Sequence, residues 1–177
     1  MRRLYTLAYP TLTTPDKKLI DAFRVQHDLR SAGMVEAHFT MVFGATVIDT
    51  WRYIDHIKGI AGTVPPIQFH CRYAMLGADD IDETAYVFLV PDEGYSKLSL
   101  LHDRLYSGLL APLLRLDLQY VPHITIGTCP VRHEAKRLCD DLNARGVSIA
   151  GKVETLTVAA MVDGKIENLE EFRLGTG

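Results

Sequence analysis

Ala37-His38-Phe39-Thr40-Met41-Val42-Phe43-Gly44 and Pro122-His123-Ile124-Thr125-Ile126-Gly127 are two apolar, strand-forming stretches that carry the same polar pair. Side chains alternate faces along a strand, so a His and a Thr two residues apart point the same way. Phe39, Met41 and Phe43 are then expected on the core face of the first strand, and Ile124 and Ile126 on that of the second. Each strand offers one apolar face and one face bearing an imidazole and a hydroxyl. Of the seven histidines, only His38 and His123 have Thr two residues on. A buried His or Thr costs free energy unless hydrogen-bonded, so packing alone gives no reason to repeat the pair. Two imidazoles can serve as general base and general acid. Two hydroxyls can hold the charged group between them.

Around these strands the chain repeats an order of elements. Residues 3 to 9 read as a strand, and Thr14 with Pro15 and Asp16 as a helix start. Leu19, Ile20, Phe23 and Leu29 would form that helix's apolar stripe. The first motif strand spans 35 to 43. A second helix begins at Asp49 or Thr50, has Trp51, Ile54, Ile57 and Ala61 on one face, and stops at Gly62 and Pro65-Pro66. Strands at 67 to 76 and 84 to 90 flank Gly77-Ala78-Asp79-Asp80 as a hairpin. A third helix runs from about Ser96 to Leu110 on a leucine stripe. The second motif strand covers 118 to 127, a fourth helix opens at Pro130 and stops at Gly146, and strands at 152 to 162 and 165 to 174 turn at Asp163-Gly164.

After the first strand the order is helix, motif strand, helix, strand, strand, and after residue 94 it is the same again. The expected fold class is therefore α+β, built from duplicated α-β-α-β-β units. Two lobes of antiparallel sheet face a central cleft, with helices outside. Residues 1–177 form one bilobal domain, with approximate lobes 1–93 and 94–177.

Composition is that of an ordinary soluble domain, 47% apolar and 23% charged. A net charge of −3 argues against a broad basic face for long nucleic acid. Two N-terminal arginines lack the apolar run of a signal peptide, and no stretch approaches a membrane span. Cys71, Cys129 and Cys139 follow no metal spacing and read as free thiols, which places the chain in the cytoplasm. Cys129, close behind the second motif, reads as a packing residue. No carboxylate or third His stands beside either motif, so no metal and no cofactor are expected. His70 reads as structural, and His56, His102 and His133 as surface residues.

At His38-Phe39-Thr40 and His123-Ile124-Thr125, 85 positions apart, the chain resembles the 2H phosphoesterases. Arg3-Leu4-Tyr5-Thr6-Leu7-Ala8-Tyr9-Pro10 looks like that family's first strand, and the element order fits nearly the whole chain. The resemblance implies an enzyme that opens a cyclic phosphodiester without metal, acting on a 2′,3′-cyclic phosphate of an RNA end or nucleotide. Related chemistry in reverse is 2′-5′ RNA ligation. His38 and His123 would be catalytic, and Thr40 and Thr125 would bind phosphate. The same resemblance makes His123 the base and His38 the acid, leaving a 2′-phosphate. Where some members carry a basic residue after the first motif, Val42 and Phe43 stand here. Arg3, Arg72 and Lys97 are candidates by location to offset phosphate charge, and Tyr5 and Tyr120 to stack on a base. The expected partner is a nucleotide or RNA end carrying a cyclic phosphate, with no membrane, and the protein a monomer. The alternative is a binding module that holds a nucleotide phosphate through the same motifs without turnover.

Overall fold

The structure is a computed structural model that describes residues 2–78 and 84–175. Its strands are β1 (Arg3–Ala8), β2 (Thr11–Leu12), β3 (Phe39–Ala45), β4 (Ile67–Ala78), β5 (Ala85–Glu93), β6 (Ile124–Cys129), β7 (Ile149–Val153), β8 (Thr155–Val162) and β9 (Lys165–Arg173). Its helices are α1 (Thr14–His27), α2 (Thr50–Ala61), α3 (Tyr95–Leu105) and α4 (Arg132–Arg145), with a 3₁₀ segment at Gly108–Leu113. None of these helices, among the described residues, is long and apolar enough to cross a membrane.

All strands join one curled sheet in the order β2-β7-β4-β5-β6-β3-β1-β8-β9, and every pairing is antiparallel. Setting aside the short β2, four strands lie on each side of the β6–β3 seam. That seam carries a single paired rung, Phe39 with Ile124, whereas β5 and β6 share five. The sheet thus forms two lobes that touch along one line. The lobes exchange strands. The β4–β5 hairpin of the first half pairs with β6 of the second, and β8 of the second half pairs with β1 of the first.

The pseudo-twofold relation extends to a bulge. Thr6 pairs with Val42 and Leu7 with Thr40, so Met41 is an extra residue in β3. Val87 pairs with Gly127 and Phe88 with Thr125, so Ile126 is the extra residue in β6. Each bulge follows the motif threonine. It also corrects one expectation, because the inserted residue shifts the alternation by one. Val42 takes the core face and Phe43, 40% exposed, turns towards the cleft.

Core burial follows the motif strands' apolar faces. Phe39, Met41, Ile124 and Ile126 are fully or almost fully buried. Each such side chain contributes roughly 1.5–3 kcal/mol. α4 covers β4 and β5, α2 covers β8 and β9, and α1 packs on β6. Thr13, rather than Thr14, caps α1 by accepting from the Asp16 N–H. Its buried face is Ile20 and Arg24, and Leu19 and Leu29 are exposed. On α2 the buried face is Tyr53, Ile57 and Ala61, while Trp51 is 69% exposed. α3 ends at Leu105 rather than Leu110, and after Gly108, whose φ of 49° is not helical, the chain continues as the 3₁₀ segment. The strand expected over 152 to 162 is two strands divided at Glu154. β7 pairs with β4 in one lobe, and β8 with β1 in the other. Gly77 and Ala78 continue β4 instead of turning, and Asp79 and Asp80 lie outside the described residues.

Candidate active site at the seam

The one rung between the lobes joins the middle residues of the two motifs. Phe39 and Ile124 point into the core, so the residues on either side of each point to the opposite face. Antiparallel pairing sets His38 across from Thr125 and Thr40 across from His123. All four side chains are half-buried.

The two imidazoles are held identically. The His38 Nδ1–H donates to the carbonyl of Glu36 at 2.7 Å, and the His123 Nδ1–H donates to that of Val121 at 2.6 Å. A carbonyl only accepts, so both Nδ1 atoms carry hydrogen and Nε2 is left for a ligand. Neither Nε2 nor the hydroxyl of Thr40 or Thr125 has a hydrogen-bond partner among the described residues. Burial pushes the pKa of His38 down to about 4, and the charges of Arg24 and His123 push it the same way. Burial also lowers that of His123. Arg24 is itself buried and is paired with the buried Asp28 at 3.1 Å. Its guanidinium also donates to the Val35 carbonyl.

Aromatic rings fix the surroundings. Phe88 stacks on His123 with ring centroids 3.8 Å apart, and Tyr9 meets His38 edge-on at 6.1 Å. The seam leaves β3 backbone groups with no partner strand beyond Phe39, and two tyrosines take them. Tyr120 Oη donates to the Thr40 carbonyl at 3.1 Å, and Tyr106 Oη accepts from the Phe43 N–H at 3.0 Å. His102 stacks flat on Tyr120 at 3.6 Å. A cavity of about 460 Å³ opens beside His123 and Thr125, with Phe43, Tyr86, Phe88 and Tyr120 among its lining. Neither His38 nor Thr40 lines it.

The other sequence-derived candidates fall in different places. Tyr5 lies half-buried on β1 beside Arg3, and both lie over Gly44, where a Cβ would sit 3.0 Å from Tyr5 and 2.3 Å from Arg3. Tyr120 lines the cavity. Arg72 is exposed, ion-paired to Asp92 and Glu93, and not part of that lining. Lys97 is exposed on α3. The basic residue on the cavity wall is Arg115, which no motif marks. His102, expected at the surface, is 4% exposed. Its position one turn from Leu98 and Leu105 on the buried face of α3 was a usable signal. His56 is half-buried with Nε2 bound to the Leu105 carbonyl, and His70 bonds Ser148. The three cysteines are buried and free, and burial raises their pKa values, that of Cys71 to about 12. Among the described residues no three His, Cys, Asp or Glu side chains are grouped as a metal site would need.

The profile of the 2′-5′ RNA ligase superfamily matches residues 12–165. The chain belongs to that superfamily. Solved structures similar to it share its fold over nearly the whole length. TT0787 of Thermus thermophilus has 18% identity, covers 99% of this chain and 100% of its own, and superposes with a TM-score of 0.63. E. coli LigT complexed with 3′-AMP has 17% identity, 99% coverage of both chains and a TM-score of 0.56. Usb1 of Kluyveromyces marxianus has 8% identity over 94% of this chain and 97% of its own, with a TM-score of 0.52. No curated protein sequence is significantly similar to the chain. Membership in the 2′-5′ RNA ligase superfamily supports a phosphodiester-related activity.

Proposed function

We propose that the protein hydrolyses a 2′,3′-cyclic phosphodiester on a ribonucleotide or RNA end, without metal, and leaves a 2′-phosphate. The observation that carries this reading is the matched pair of imidazoles at the seam. Each is locked with Nδ1–H on a backbone carbonyl and each keeps Nε2 for a ligand. A phosphate between them meets a proton acceptor on one side, a proton donor on the other, and the hydroxyls of Thr40 and Thr125.

The atoms balance simply. One Nε2 takes a proton from water as the water oxygen attacks phosphorus. The P–O3′ bond breaks, and the other Nε2 gives its proton to O3′. Each transfer contributes on the order of 10²–10⁴-fold. Thr40 and Thr125 donate to the non-bridging oxygens as charge accumulates there. The family resemblance makes His123 the base and His38 the acid. Burial disfavours a proton on both rings in the free protein, and the charge of Arg24 adds to this at His38. The charge of a bound phosphate raises both values and lets either ring carry the proton.

The test is an assay of 2′,3′-cyclic nucleotides and of RNA ending in a cyclic phosphate, with chelator present. Hydrolysis to a 2′-phosphate that persists in chelator and is lost on His38→Ala or His123→Ala is expected. Binding of a nucleotide monophosphate with no hydrolysis of any cyclic substrate overturns the reading in favour of a binding module. LigT of E. coli has been crystallised with 3′-AMP, ATP and NADP+, which supports a nucleotide as the ligand to try first.

A further inference from the structure

The two halves of the chain brace their motif strands by one device made from different side chains. α1 ends on Arg24 and its C-cap Asp28, and α3 on His102 and its C-cap Tyr106. Each pair is spaced i, i+4, so its members share a face of the helix end. Arg24 donates to the Val35 carbonyl at 2.9 Å, and His102 stacks on Tyr120. Val35 and Tyr120 each stand three residues before a motif histidine. Asp28 accepts from the Thr128 hydroxyl at 3.3 Å, and Tyr106 accepts from the Phe43 N–H at 3.0 Å. Thr128 and Phe43 each stand three residues after a motif threonine, in the opposite half of the chain from the helix that binds them. Each helix end therefore holds the lead-in to its own histidine and the far part of the other motif strand.

These braces stand where sheet pairing stops. The seam has the single rung Phe39–Ile124, and residues 35–38 and 119–123 belong to no helix or strand. Ladder hydrogen bonds thus leave the approach to each imidazole unfixed. The Val35 carbonyl lies in the peptide unit just before the one whose carbonyl takes the His38 Nδ1–H, so a shift at Val35 moves the acceptor that aims His38. Stability gives little reason for an ionic brace here. Arg24 is 4% exposed and Asp28 fully buried. Well-packed apolar residues in place of a buried ion pair are often neutral or stabilising, so its use here points to the groups it fixes. Asp28 spreads its two carboxylate oxygens over Arg24, the Ser31 N–H and the Thr128 hydroxyl.

We propose that Arg24 and Asp28 are positioning residues, which aim His38 through Val35 and hold the second motif strand beside it through Thr128. The kinetic consequence rests on the function proposed above. Both side chains are buried and neither lines the cavity, so they act through the histidine and not on substrate. His102 and Tyr106 do the corresponding work for His123 with rings in place of charges. A satisfied buried network is rigid, which suits a part whose task is to keep two groups in register across a seam with one rung.

The test replaces the pair by apolar side chains, Arg24→Met with Asp28→Leu, which keeps bulk and removes the bonds to Val35, Ser31 and Thr128. Two quantities are read. Ring-nitrogen NMR of the histidines distinguishes Nδ1–H from Nε2–H and needs no turnover. The second is kcat on a 2′,3′-cyclic nucleotide, at a temperature where the melt shows full folding. Wild-type His38 is expected as the Nδ1–H tautomer alone. In the double variant His38 should become a mixture of tautomers, His123 should keep its Nδ1–H signal, and kcat should fall on the order of 10²-fold, as for a misplacement of about 1 Å. Thr128→Val should leave the His38 signal unchanged and lower kcat roughly tenfold, the equivalent of one hydrogen bond to a charged group. Where the double variant does not fold, Arg24→Lys decides. It keeps the charge beside Asp28 without the fork that spans Asp28 and Val35, and mixed tautomers at His38 are again expected. Retention of the single His38 tautomer or of wild-type kcat in a folded variant of the pair overturns the proposal. Equal loosening of both histidines overturns it too, since that marks a general loss of packing. A wild-type kcat in Thr128→Val overturns the hold on the second strand. If the wild-type protein hydrolyses no cyclic phosphate, the proposed function falls, and the ring signals still decide whether the pair aims His38.

Discussion

Gly77→Ala is the sharpest probe of how the structure aims His123. A Cβ at residue 77 would lie 2.0 Å from Cε2 of Phe88, 2.4 Å from Cζ and 2.8 Å from Cδ2. Ordinary carbon contacts are about 3.5–4.0 Å, so the ring has to move by about 1.5 Å. Its backbone neighbours are not in question, because Gly77 is not among the residues with positive φ. The Phe88 ring also lies 3.8 Å from the imidazole of His123, tilted by 24°. A ring displaced against that imidazole strains the His123 bond to the Val121 carbonyl. A misplacement of about 1 Å at a reacting group costs on the order of 10²-fold in rate. Overpacking adds about 1–3 kcal/mol of destabilisation, roughly 2–4 °C of Tm per kcal/mol in a chain of this size. The assay is kcat on a 2′,3′-cyclic nucleotide together with a thermal melt. The double variant Gly77→Ala with Phe88→Leu should recover most of the Tm because the smaller side chain vacates the collision, yet kcat should stay low without the ring that backs His123. A folded Gly77→Ala protein with wild-type kcat would show that Phe88 does not position the imidazole.

Because both imidazole pKa values lie below the usual 6.5, with His38 near 4, the singly protonated pair of the free protein is most populated on the acid side of 6.5. The pH profile of kcat/KM should therefore be bell-shaped with its maximum below 6.5, while that of kcat shifts upwards as bound phosphate stabilises the imidazolium; a maximum above about 7 in kcat/KM contradicts this. Replacing whichever histidine is the acid should do less harm on a nitrophenyl diester than on a ribose cyclic phosphate, and comparison of His38→Ala with His123→Ala on the two substrates assigns the roles. Asp28→Ala leaves the buried Arg24 without its counter-charge and should cost about 3–5 kcal/mol in urea unfolding; a loss under about 1 kcal/mol would mean that the guanidinium escapes to solvent. Tyr120→Phe keeps the stack on His102 but orphans the Thr40 carbonyl, so it should lower Tm by the equivalent of about 1–3 kcal/mol, and an unchanged melt would show that water takes the hydroxyl's place.

Much of the fold was legible because periodicity is a local property. The four helices, the motif strands and the Asp163-Gly164 turn are written in neighbouring residues, and the structure contains them with shifted ends. The misreadings came where a local pattern has more than one solution. Leu19 and Trp51 stand at spacings compatible with an apolar stripe, but the stripe that packs is set by the strands beneath, and theirs selects Ile20 and Tyr53 instead. Residues 152 to 162 read as one strand because nothing in Val153-Glu154-Thr155 announces a change of partner, although β7 and β8 lie in different lobes.

The site divides along the same line. Strand alternation in the sequence was enough to put His38 with Thr40 and His123 with Thr125 on shared faces, and the duplicated order was enough to expect two lobes around a cleft. The tertiary structure decided what lies between them. It set the single Phe39–Ile124 rung at the seam and the carbonyls that orient each imidazole. It also placed the bulge that delivers Phe43 to the cleft, and put His102 and Arg115 on the wall of one cavity. A bulge is a mismatch between two strands, and a cavity wall gathers residues far apart in the chain. Neither is a property of any one stretch of sequence, so neither exists until the lobes have closed on each other.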